Sequence, residues 1–157
     1  MKQTWKTYLF WLALAEGVGA LSGFLSRRGT ELYQTTIVQP PLSPPPLVFP
    51  IVWTILFALL GIGAARIFLA PANGSRTRAL LLFLLQLFFN FCWSPIFFNL
   101  QAFGFALLWL AALWGLILWM ILTFAKVDRP AALLQIPYLL WVTFAAYLNA
   151  GVWLLNR

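Results

Sequence analysis

Few side chains in this sequence can do chemistry, and their types restrict what that chemistry is. There is no histidine and one cysteine, Cys92. A His-based triad, a His-ligated zinc ion and a His-ligated haem are therefore excluded, no internal disulfide can form, and neither a metal nor a cofactor is expected. Cys92 lies in an apolar run and reads as a small buried hydrophobe. Glu16 is the one acidic residue well inside such a run. A carboxylate there is either functional or a structural group, protonated or hydrogen-bonded between helices. Gln86, Asn90 and Ser94 recur at intervals of four and so share one helical face, serving as interhelical glue or as ligand contacts. Trp53, Trp93 and Trp141 lie within or beside the polar and proline-broken segments. An indole has a broad flat face and one N–H donor, which suits a large planar apolar ligand. Trp109, Trp114 and Trp119 are spaced by five, share no face, and read as meeting lipid or a neighbouring subunit.

The elements that hold these groups follow from composition. The chain is 63% hydrophobic and 8% charged, against roughly 45–50% and 25% in soluble domains. Five apolar runs, 8–25, 48–70, 79–98, 103–125 and 131–155, approach the roughly 20 residues needed to cross a bilayer core. They are apolar all round, whereas barrel strands would alternate. The expected fold is thus an all-α membrane protein, a bundle of five transmembrane helices forming one integral membrane domain over 1–157. The first run is longer than a signal-peptide core and carries Glu16, so it reads as a retained helix. Residues 26–47 form the one long link and end in QPPLSPPP, which reads as extended and non-helical, a lid over the bundle or a spacer. The other links, 71–77 with its Asn73-Gly74 turn, 99–102 and 126–130, are short and make sequential helices antiparallel neighbours. Pro95 and Pro137 interrupt the third and fifth spans and free the carbonyls of Phe91 and Leu133. Gly19 and Gly23 form a GxxxG pair suited to close helix contact, within the chain or in a dimer.

The net charge of +7 is spread over the ends of the runs, which argues against nucleic acid as a partner. Lys2, Lys6, Arg66, Arg76, Arg78, Lys126 and Arg129 fall on one side, and Arg27, Arg28 and Arg157 on the other. The positive-inside rule then makes the N-terminus cytoplasmic and the C-terminus external in a bacterial inner membrane.

Four stretches in this order resemble the translocator protein family, also called tryptophan-rich sensory proteins. They are Tyr33 leading into PPPLVFPIVWT (44–54), QLFFNFCWSPIFFNL (86–100), the Trp-rich fourth span and IPYLLWVTFAAYLN (136–149). The resemblance implies a homodimeric five-helix receptor in the lipid bilayer that binds porphyrins and other planar hydrophobic ligands beneath the first long loop. Transport of such molecules, or their light- and oxygen-dependent degradation, is the alternative it carries. Carried over by residue, Trp53 and Trp141 are the tryptophans implicated in degradation. Tyr33, Pro44, Gln86, Asn90, Trp93, Pro137 and Ala145 would join them around the pocket. Two departures stand out. Gln39-Pro40-Pro41-Leu42 replaces the family's usual KPxW, and the fifth span lacks the animal cholesterol motif, with Ala150 and Leu154 at its tyrosine and arginine positions.

Overall fold

The computed structural model describes residues 3–157; Lys2, counted above among the topology-setting charges, lies outside them. The chain is built from helices α1 (Thr4–Leu25), α2 (Arg27–Thr36), α3 (Val48–Leu69), α4 (Gly74–Ser94), α5 (Phe103–Val127), α6 (Arg129–Leu133) and α7 (Ile136–Leu155). A π-helical turn, Pro95–Asn99, prolongs α4. Five segments are long and apolar enough to span a membrane: α1, α3, α4 with its π-turn, α5, and α6 with α7. Large apolar side chains such as Leu9, Phe88, Leu108 and Leu140 cover the outside. In water that surface would be ruinous, and in lipid it is the matching solvent; this is a multi-pass integral membrane protein.

Because lipid tails are as apolar as leucine, burial alone does not hold such helices together, and close packing and interhelical hydrogen bonds must. Both are present at one end of the bundle. A side chain on Gly61 of α3 would strike the Leu12 backbone of α1, 2.7 Å away. One on Gly63 would lie 2.5 Å from Gln135 Nε2, and that amide donates to Leu59 O at 2.8 Å, pinning the α6–α7 break to α3. Arg66 Nε pairs with Asp128 Oδ2 at 2.6 Å, and Asp128 also caps α6 by accepting from Ala131 N at 3.1 Å. Phe68 meets Trp11 of α1, so the start of α1, the α3–α4 link and the α5–α6 link share this end.

Several local expectations change. Residues 26–47 are not wholly extended, for Arg27–Thr36 is helical. Gly29 and Tyr33, four apart, form the buried face of α2; the rest of RRGTELYQTT is polar and gave no apolar run to detect. The Asn73-Gly74 pair is a helix start rather than a turn: Asn73 Oδ1 accepts from Arg76 N at 2.8 Å, the geometry of an N-cap. Pro137 does not kink a continuous helix. It sits in the first turn of α7, where a missing N–H costs nothing, after a break at Leu134 and Gln135. Trp109 turns inward, stacking on Phe89 with ring centroids 4.3 Å apart and donating to Phe89 O at 2.8 Å. Trp114 donates to Thr143 Oγ1 at 2.9 Å and Trp119 is exposed. Gly19 packs against the Phe57 ring, whereas a side chain on Gly23 would meet nothing within 4 Å. Of the GxxxG pair, only Gly19 has a neighbouring helix's side chain where its own would stand, among the described residues.

Candidate functional site

At the end opposite the Arg66–Asp128 pair the helices part around a cavity of about 590 Å³. Its walls come from α1, α2, α3, the end of α4 and α7, and the proline strap crosses its mouth. Pro95 shapes the far wall. Without an N–H it cannot bond Phe91 O, so the helix widens to a π-turn in which Leu100 N reaches Pro95 O at 3.0 Å. The carbonyl left over at Phe91 accepts from Ser22 Oγ of α1 at 2.8 Å. The widened turn sets Phe97 and Phe98 around Trp93, and Trp93 stacks on Phe97 with centroids 4.9 Å apart.

Helix α2 closes this side. Gly29 permits the approach, since a side chain there would press on the Phe98 backbone 2.6 Å away. Tyr33 then wedges against Phe97 and Phe98 at 5.4 and 5.2 Å. Burial pushes its phenol up to about 12, so it stays neutral across the physiological range. The strap that follows is fastened to α7 at three points. Asn156 both accepts from Val38 N at 3.0 Å and donates to Val38 O at 2.8 Å. Tyr147 donates to Pro41 O at 2.7 Å. Pro40 fills the notch left by Gly151, where a Cβ would lie 2.5 Å from the ring.

Of the residues singled out in the sequence, Tyr33, Pro44, Trp53, Asn90, Trp93 and Ala145 stand on the cavity wall, together with Glu16 and Ser94. Three others lie away from it. Gln86 is fully buried and accepts from Tyr138 Oη at 2.7 Å. Trp141 packs edge-on behind Phe49, itself a wall residue, and its Nε1 is buried without a partner. Pro137 is exposed at the start of α7. Glu16 has no hydrogen-bonding or ion-pair partner among the described residues, where the one ion pair is Arg66–Asp128.

Sequence reasoning overlooked Phe49, Phe57, Phe97 and Phe98, which line the cavity but are ordinary residues in an apolar chain. It also overlooked Asn149, which accepts from Trp93 Nε1 at 3.1 Å and donates to Phe103 O at 2.8 Å. A polar amide deep in an apolar span was a usable signal for it, as it was for Gln86 and Asn90. Among the described residues no group of side chains could hold a metal ion.

Five membrane-crossing helices around a strap-covered cavity lined with aromatic side chains define an integral membrane protein with a pocket between its helices. The chain belongs to the TspO/MBR family, whose model matches residues 9–154. It is 37% identical to the tryptophan-rich protein TspO of Chlorobaculum tepidum over 146 residues, 92% of each chain. It is 33% identical to the tryptophan-rich sensory protein of Cereibacter sphaeroides over 156 residues, 99% of this chain and 95% of that one. The translocator protein of Bos taurus is 31% identical over 144 residues, 88% of this chain and 85% of its own.

Proposed function

We propose that the protein is a membrane receptor that takes planar hydrophobic ligands, porphyrins and related tetrapyrroles among them, into the cavity beneath the strap and regulates tetrapyrrole-related or stress responses. The observation that carries this reading is the cavity wall. Its volume falls in the usual range for small-molecule sites, roughly 300–1,000 Å³, and the indoles of Trp53 and Trp93 with four phenylalanines offer flat faces. With no histidine in the sequence, the site is suited to stacking a macrocycle rather than ligating a metal at its centre. Tyr33, Pro44, Trp53, Asn90, Trp93 and Ala145 touch the ligand, while Gln86, Pro137 and Trp141 act through the helices and rings in front of them. The excess of Lys and Arg at the Arg66 end supports a cytoplasmic N-terminus if the membrane is a bacterial inner membrane, and the family resemblance supports a homodimer as the working unit.

Titration of purified protein in nanodiscs with protoporphyrin IX, following tryptophan emission, tests the reading. Saturable quenching is expected, with affinity about fivefold weaker in Trp53→Leu, given about 1 kcal/mol for an aromatic stacking contact. Quenching that never saturates, or that the substitution leaves unchanged, removes the cavity as the site. Degradation of the bound porphyrin under light would draw on Trp53, with Trp141 lying behind Phe49; equal bleaching by wild type and a Trp53→Phe, Trp141→Phe variant counts against it. Transport is favoured by one feature, Glu16 on the cavity wall without a partner among the described residues. Liposome flux that is pH-dependent in wild type and lost in Glu16→Gln would support it, and absence of flux ends it.

A further inference from the structure

A second hollow lies at the Arg66 end and shares no lining residue with the central cavity. It is a crevice of about 290 Å³ between the start of α1 and the end of α3, lined by Gln3, Lys6, Thr7, Phe10, Trp11 and Phe68. Its two halves differ in chemistry. Phe10 and Phe68 are exposed, and the buried ring of Trp11 lies between them, 5.3 Å from one and 5.8 Å from the other. Gln3, Thr7 and Phe10, four and three apart, follow one side of α1, with Lys6 next to Thr7. Polar side chains therefore stand where the helix enters the membrane, and the rings Phe10 and Trp11 lie a turn deeper.

The charge on this rim has no counterpart in the chain. Lys6 Nζ lies 5.6 Å from the Trp5 ring and meets no carboxylate among the described residues, where the one ion pair is Arg66–Asp128. A second cation stands against the same floor: Arg76 Cζ is 4.8 Å from the Phe68 ring centroid, held there as Nε and Nη2 donate to Phe68 O at 3.1 and 2.8 Å. A second copy of the chain could not supply the missing negative charge. The sequence has three acidic residues. Asp128 is bound to Arg66, while Glu16 and Glu31 line the central cavity. A small soluble anion would meet Lys6 and leave the rings of Phe10 and Phe68 uncovered.

We propose that this crevice binds one anionic phospholipid, with the headgroup phosphate at Lys6, Gln3 and Thr7 and an acyl chain lying on Phe10, Trp11 and Phe68. The polar and apolar halves are then covered by a single molecule in the order in which a lipid presents them, headgroup at the membrane surface and chain beneath. Lys6 sets the preference for charge. A zwitterionic lipid brings its own cation, which offsets the attraction of its phosphate to the ammonium, whereas an anionic lipid brings none. The proposal makes no use of the central cavity and stands whatever that cavity binds.

Native mass spectrometry of delipidated protein in a neutral detergent, titrated with dioleoylphosphatidylglycerol or dioleoylphosphatidylcholine, reads the affinity for the first lipid bound. Phosphatidylglycerol is expected to bind about fivefold tighter than phosphatidylcholine, the usual effect of one cation near a membrane surface. The ratio should fall near one in Lys6→Gln, an exposed position whose substitution leaves the fold intact. It should persist in Arg129→Gln, which removes a cation of the same end from outside the crevice. Equal binding of the two lipids by wild type, a preference that survives Lys6→Gln, or one lost equally in Arg129→Gln overturns the site. Glycerol 3-phosphate, a phosphate without chains, should not displace bound phosphatidylglycerol. Displacement at matching concentration overturns the lipid as occupant and leaves a plain anion.

Discussion

Glycines of α3 and of α1 meet different surroundings at the two ends of the bundle. At the Arg66 end, Gly61 faces the backbone of α1 and Gly63 faces the buried amide of Gln135, so the missing side chains become contact. At the strap end Gly23 faces open space and Gly19 the edge of the Phe57 ring, and both are part of the cavity wall. Polar groups differ too: Arg66, Asp128 and Gln135 tie helices together away from the cavity, Asn90 ties α4 to α7 while also lining it, and Glu16 lines it without a partner among the described residues. The contrast teaches that a small residue in a membrane helix signals closeness only where another group lies opposite, as at Gly61 and Gly63 but not at Gly23. One end is closed like a clamp, and the other is hollow.

Filling the clamp should have the largest effect. Gly61→Val places methyl groups against the Leu12 backbone, which cannot yield as a side-chain tip can. A loss of about 3 kcal/mol is expected, read as a fall in thermal stability in detergent. Gly23→Ala is the matching control and should change stability by less than about 0.5 kcal/mol; equal losses would dissolve the contrast. Tyr138→Phe comes next. It strands Gln86 Oε1 and Asn90 Nδ2 in the core, at a cost of about 2 kcal/mol in the same assay.

Asn156→Ala should release the strap from α7 at Val38 for about 1 kcal/mol, visible as faster hydrogen exchange over 37–42 with the clamp unaffected. The smallest effect is expected from Asp128→Asn, under about 1 kcal/mol because the Arg66 pair is partly exposed. The Arg66 guanidinium holds the Asp128 carboxyl below the usual carboxylate range. The stabilisation is therefore fully present above the unfolded value of about 3.9 and is lost as pH falls through the lower folded one. Acid titration of stability should show this loss in wild type and not in the variant.

Legibility followed how much of a residue's role is local. The apolar runs announced their helices, and the flanking charges sorted to two ends as the antiparallel order requires. The spacing of Gln86, Asn90 and Ser94 correctly placed them on one inward side of α4, yet Gln86 ended in the core and Asn90 and Ser94 at the cavity. Spacing fixes an angle around a helix axis but says nothing of what lies opposite at each depth. Helix α2 escaped notice because only Gly29 and Tyr33 of its ten residues are buried, too few for an apolar period. Trp109 was misjudged because its partner, Phe89, belongs to another helix.

By itself the amino-acid sequence determined that the chain crosses lipid as five helices, since long apolar runs in a solvent without hydrogen bonds must satisfy their own backbone. It also determined that any ligand is held without histidine. Only the tertiary structure decided which polar groups brace the bundle and which face the cavity. A hydrogen bond between α4 and α7 joins residues about fifty positions apart, and no local pattern encodes its partner.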